Sequence, residues 1–135
     1  MKHPRGKSEN FSLDHNCQII IGGDFNCHLD SSLENLGGRI ESKSSVKKIN
    51  EIMTANDLID IWRIRKPDKK QFTWTQKKPL IRRRLDYWLV STDIQDDLTE
   101  TNILPAIKSD HSAITLRWLE TVSSTFQDLE FDGSL

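Results

Sequence analysis

The chain has 135 residues, with 19 Lys and Arg against 20 Asp and Glu and a formal net charge of −1. That length suits one domain at most, large enough for a real core. No apolar run approaches the ~20 residues a membrane helix needs, and the polar start has no apolar h-region, so neither a membrane span nor a secretory signal is expected.

Residues 1–16 read as a flexible lead-in, residues 17–119 as the folded part and residues 120–135 as an acidic tail. Cys17–Ile21 is a short apolar run, consistent with a fully buried strand. Cys17 within it is expected to be a small buried hydrophobe. Gly22-Gly23 ends the run and lets the backbone turn, so Asp24 and Asn26 sit at the carboxyl end of that strand. Asp30–Ser42 reads as a loop punctuated by Gly37-Gly38. A helix is predicted from Ser45 to Asn56: Val46, Ile49, Ile52 and Met53 make one apolar stripe, with Ser45 as the N-cap. Leu58–Ile61 is a short strand. Gln71–Thr75, Leu85–Val90 and Ala113–Trp118 are three more, and Thr101–Leu104 is an edge strand.

The near-neutral total hides a segregation of charge. From Arg63 to Arg84 there are ten Lys or Arg and one acid, Asp68; after Arg117 there is no basic residue. A basic stretch interleaved with Phe72 and Trp74 suits a polyanion whose bases stack. Taken without the rest of the sequence, it suits a solvated loop and strand edge better. Two cysteines, Cys17 and Cys27, have neither metal-ligand spacing nor the density of a disulfide scaffold, so the chain reads as intracellular and reduced, cytoplasmic or nuclear.

Three clusters carry chemistry: Gly22-Gly23-Asp24-Phe25-Asn26, Arg84-Leu85-Asp86-Tyr87-Trp88 and Ser109-Asp110-His111. Phosphodiester hydrolysis needs an activated water, neutralised non-bridging oxygens and help for the leaving oxygen. Asp24 can orient or deprotonate the water. Asn26 points to the same side if the chain is extended, and its amide can donate to a phosphate oxygen. Protonated His111 is a donor and a cation at once. Asp110 is an oxygen ligand suited to Mg²⁺, and Asp86 can hold the imidazole in one orientation. Singly, each has a plainer reading. Asp24 and Asn26 suit an Asx turn, Asp86 an ion pair with Arg83 or Arg84, Asp110 a turn, and His111 a core or surface histidine. Their joint order favours the catalytic one.

Gly-Asp-Phe-Asn, Arg-Leu-Asp-Tyr-Trp-Leu-Val and Ser-Asp-His resemble the last three motifs of the endonuclease/exonuclease/phosphatase superfamily. Leu58-Ile59-Asp60-Ile61-Trp62-Arg63, Pro67 and Phe72-Thr73-Trp74 make the pattern most similar to the endonuclease domain of LINE-type (non-LTR) retrotransposons. The resemblance implies an α/β fold, half of a four-layer DNase I-like sandwich with a mixed sheet covered by helix on one face. It implies catalytic roles for Asp24, Asn26, Asp86 and His111, a metal role for Asp110, and Mg²⁺ or Mn²⁺ as the ion. It also implies that Thr73 and Trp74 line a DNA groove, with Arg82, Arg83 and Arg84 beside them.

A complete domain of that family is roughly twice this size, and only 23 residues precede Asp24. The chain is therefore expected to be the carboxyl-terminal part of a metal-dependent DNA endonuclease, truncated. Two further expectations stand beside it: a catalytically inactive nucleic-acid-binding remnant, and a phosphatase of the same fold. A bare sheet face is expected too, left for an upstream half-domain or a second copy to cover.

Overall fold

The computed structural model describes residues 17–39 and 43–119. The lead-in and the acidic tail lie outside them. In chain order the elements are β1 (Ile20–Asp24), α1 (Ser31–Glu34), β2 (Asn35–Leu36), α2 (Lys43–Ala55), β3 (Leu58–Asp60), α3 (Ile61–Arg65), β4 (Trp74–Lys77), β5 (Leu80–Arg83), β6 (Asp86–Ser91), a 3-10 helix (Thr92–Asp97), β7 (Leu98–Leu104) and β8 (Ala113–Trp118). They form three sheets ordered β1-β6-β3, β2-β5-β4 and β7-β8. Each named ladder is antiparallel.

Strand β6 is the spine. Its side chains alternate between two cores, as a period-2 strand requires. Tyr87 and Leu89 join Ile19, Ile21, Phe25, Cys27, Leu58 and, from α2, Ile49 in one buried cluster, with Val46, Ile52 and Met53 packed against it. The rings of Phe25 and Tyr87 stack with centroids 5.4 Å apart. On the opposite face Val90 packs with Ile61, Ile94 and Leu98, and Ile20, Ile59, Trp88 and Leu116 lie against them. The apolar stripe read from the sequence of α2 is therefore the face that covers the sheet. The β7–β8 hairpin covers the other face.

The expected bare face is not found on β6, where Tyr87, Leu89 and Val90 are at most 1% exposed, whereas at the end of β8 Trp118 is 43% exposed. Cys17 is likewise exposed and unbridged, because β1 starts only at Ile20. Helix α2 begins at Lys43, which puts Ser45 inside the helix rather than at its cap. At its other end Asn56 donates from its amide to the Ile52 carbonyl (3.0 Å) and Asp57 takes a left-handed φ of 53°, a helix stop of the αL kind.

Gly22 lies opposite Trp88 across the β1–β6 ladder. A Cβ there would come within 2.2 Å of the indole ring, so the first glycine is required for close approach. Gly23, with φ at +153°, supplies backbone freedom. Gly22→Ala is expected to cost about 1–3 kcal/mol by forcing the indole off its seat. A denaturant melt checks this; unchanged stability would mean that the ring moves freely.

Candidate active site

Strand pairing assembles the site. Asp24 ends β1, Asp86 starts β6, and the two are direct partners in the ladder. His111 arrives from the loop between β7 and β8. That loop is pinned to the start of β4: His111 bridges Trp74, the Ser112 N–H donates to the Thr73 carbonyl (2.7 Å), and the Thr75 N–H donates to the Asp110 carbonyl (3.0 Å). The first, second and third clusters thus meet in space although 87 residues separate Asp24 from His111.

His111 Nδ1 lies 3.0 Å from Asp86 Oδ2, and its Nε2 lies 3.9 Å from Asp24 Oδ2. A carboxylate on Nδ1 favours the N–H there and turns Nε2 toward Asp24. The Asp86 side chain is 13% exposed, that of His111 34% and that of Asp24 45%, so the chain of groups runs from the interior outward.

Asp86 is itself held from behind. Thr73 is fully buried, and its Oγ1 accepts the N–H groups of Leu85 (2.8 Å) and Asp86 (3.1 Å). Thr73 was expected to line a DNA groove; its side chain is instead buried behind Asp86. Asn26 departs from the extended chain assumed for it. Its φ is 55°, and its N–H donates to Asp24 Oδ1 (2.8 Å). The Asx turn and the cluster are one structure, because the turn fixes one Asp24 oxygen and leaves the other facing His111. Asn26 remains exposed at the rim.

Ligand atoms of Asp24, Asp86 and His111 all lie within 4.8 Å of one another, close enough for one cation to reach all three. Asp110, the metal ligand expected from sequence, is outside that trio. Its Oδ2 accepts the Trp74 indole N–H at 3.3 Å.

The basic stretch divides in two. Arg84 is 1% exposed and cannot touch nucleic acid. Its guanidinium pairs with Glu34 and Asp60 and stacks over Tyr87 and Trp62, with its Cζ atom 4.4 and 5.0 Å from the ring centroids. Burial pulls this guanidinium toward its neutral form, but the Asp60 and Glu34 carboxylates outweigh that and hold its pKa above the ordinary arginine value. Beside it, burial pushes the Tyr87 phenol well above its ordinary value, and Glu34 adds to the shift. The phenol donates to the Cys27 and Arg84 carbonyls, tying the loop after β1 to β6.

Arg63 joins the same knot through Glu34 (2.9 Å) and donates to the Lys66 and Lys69 carbonyls (3.0 and 2.8 Å). Arg65 donates to the Gln95 and Leu98 carbonyls, and Lys66 to the Thr101 carbonyl. Arg83, expected to bind nucleic acid, donates to Asn35 Oδ1 (3.0 Å) and to the Arg39 carbonyl. Half of the ten cations therefore hold the fold. Lys69, Lys70, Lys77, Lys78 and Arg82 are exposed.

Sequence reasoning missed Glu34 and Asp60. A signal for Asp60 existed: an Asp directly before Ile-Trp is an N-cap pattern, and its side chain does accept the Arg63 N–H (3.4 Å) at the start of α3. Nothing local marks Glu34.

The chain is 30% identical over 108 residues to the uncharacterized 149 kDa protein of transposon TX1 from Xenopus laevis, covering 78% of this chain and 8% of that protein. Its fold is similar to that of the AP endonuclease LMAP from Leishmania major (TM-score 0.62, 21% identity, 72% of this chain and 34% of that one). It is also similar to the 3'-5' exonuclease NExo from Neisseria meningitidis (TM-score 0.63, 20% identity, 75% and 45%). The chain thus spans less than half the length of each. A further structure of NExo, described as a 3' phosphatase, was solved with a product DNA hairpin (TM-score 0.59, 20% identity). Among the described residues no helix is long and apolar enough to cross a membrane. The model of the endonuclease/exonuclease/phosphatase family matches residues 5–111, a span that takes in all three clusters, and the chain belongs to that family.

Proposed function

We propose that this chain carries the Asp24–Asp86–His111 part of a divalent-metal-dependent site that hydrolyses DNA phosphodiesters, an endonuclease of the LINE retrotransposon type. The observation that carries this reading is the relay itself: a half-buried carboxylate on Nδ1 of an imidazole whose Nε2 faces a second, exposed carboxylate. The likeness to the TX1 transposon protein supports the retrotransposon assignment.

The donor set suits a hard cation. Mg²⁺ and Mn²⁺ take one or two carboxylates and keep several waters, and Asp24 and Asp86 offer oxygens on adjoining strands. When bound, such an ion would supply charge neutralisation at the phosphate and a lowered pKa for a nearby water. Asp110 would add an oxygen from the loop, held by Trp74.

The rest belongs to the chain's own residues. Asp24 orients the attacking water and takes its proton. Protonated His111, held by Asp86 at Nδ1, donates from Nε2 to a non-bridging phosphate oxygen. Asn26, exposed beside Asp24, donates its side-chain amide to the same group. Exposed Lys69, Lys70, Lys77, Lys78 and Arg82 supply the electrostatic part of DNA affinity. A phosphatase for small substrates is less well served, since five outlying cations give it nothing to hold.

A second reading, an inactive DNA-binding remnant, is favoured by one observation: Asp110, the metal ligand expected from sequence, lies outside the trio and accepts the Trp74 indole N–H. Supercoiled-plasmid nicking by the purified chain separates the two. Nicking that requires Mg²⁺ and stops with EDTA is expected. DNA binding without nicking at any Mg²⁺ or Mn²⁺ concentration would establish the remnant.

A further inference from the structure

The loop from β7 to β8 carries His111 near its β8 end, and on the other side an apolar run climbs from Leu104, the last residue of β7, to Ile107. Leu104 is 46% exposed and Ile107 92% exposed, and Pro105 and Ala106 between them are exposed as well. Single apolar residues on a surface need no explanation. Four in succession on one catalytic loop do. The base cannot drift, since His111, Asp110 and Ser112 are bonded or bridged to Thr73, Trp74 and Thr75. Ile107 therefore stands only four residues from the imidazole, on a stem anchored to the site.

What surrounds the tip identifies its partner. Lys108 follows Ile107 directly and is exposed. The β4–β5 hairpin, against whose first strand the loop base lies, carries exposed Lys77, Lys78 and Arg82 together with Pro79 and Leu80, the latter 49% exposed. An apolar point set among cations suits a polyanion with an apolar interior. In a nucleic-acid duplex, phosphates take the cations and the gap between base steps takes the apolar side chain.

We propose that Ile107 is a wedge that enters the duplex beside the scissile phosphate and unstacks a base step, with Lys108 on the adjoining phosphate. This rests on the reading of the site as a DNA phosphodiesterase. The loop then couples binding to local deformation and presents the phosphate to His111.

The test uses the full chain carrying Asp24→Ala, to prevent cleavage, and a duplex with 2-aminopurine scanned across a mapped nick position. Anisotropy reports binding, and 2-aminopurine emission reports unstacking. Emission is expected to rise on binding at one position, and Ile107→Ala should lose most of that rise while keeping most of the affinity. Ile107, being exposed, can be changed without loss of fold. An undiminished rise in Ile107→Ala overturns the wedge while leaving the DNA reading intact. Absence of any duplex binding overturns both. If Ile107→Ala instead shifts the sedimentation of the free protein, the tip is a protein contact and the proposal fails.

Discussion

Replacing His111 with alanine is expected to lower the single-turnover nicking rate by about 10²–10⁴-fold, the usual range for a positioned acid–base group, with duplex affinity largely kept. His111 is 34% exposed and packs into neither core cluster, so its loss should not unfold the protein. Asp86→Asn keeps the size of the residue behind the imidazole but removes its charge and its fixed preference for an N–H on Nδ1. A smaller rate loss is expected there, and the double variant should be little worse than His111→Ala, because the two residues act as one unit. Additive losses, or full activity in His111→Ala, would separate the histidine from the chemistry.

The largest expected effect on stability is at Arg84. Arg84→Met removes the cation shared by Glu34 and Asp60, which are 1% and 8% exposed, and leaves Asp60 without it while Glu34 keeps Arg63. Leaving a buried charge without its partner costs about 3–5 kcal/mol. Urea denaturation of Arg84→Met measures this directly. Adding Glu34→Gln and Asp60→Asn to the same chain is expected to recover much of the loss, since the penalty lies in the uncompensated charges and not in the missing contact. A loss below about 1 kcal/mol would mean that water reaches the carboxylates, as at an exposed ion pair.

Arg84 also marks where sequence reasoning reaches its limit. Strand β8 was legible at its observed bounds, and β1, β3, β6 and α2 within a few residues, because each writes its own period along the chain. The family, the α/β class and the three clusters were legible for a related reason: chemistry constrains residue identity at short spacing. Strand β5 was not, since Leu-Ile-Arg-Arg alternates nothing and becomes a strand only by pairing with β4 and β2. Nor was the fate of the basic stretch. Ten cations in a row of text look alike, yet five of them end on carbonyls and carboxylates supplied by elements up to 50 residues away. Thr73 illustrates the same point: its motif marks it as important, but only the folded chain shows its hydroxyl facing inward to two backbone N–H groups.

The ladder that joins Asp24 to Asp86 has a consequence for tolerance. Strand register is quantised: slipping β1 by a single residue against β6 turns every side chain to the other face. Asp24 would then lose its carboxylate neighbour outright, with no intermediate, slightly misaligned state available. What forbids the slip is the alternation of Ile20 and Ile21 against Val90 and Leu89, a set of greasy contacts without chemistry of their own. The reacting groups are therefore gauged by hydrocarbon. Errors in the core would be transmitted to the site as a binary loss of geometry and not as a gradual decline.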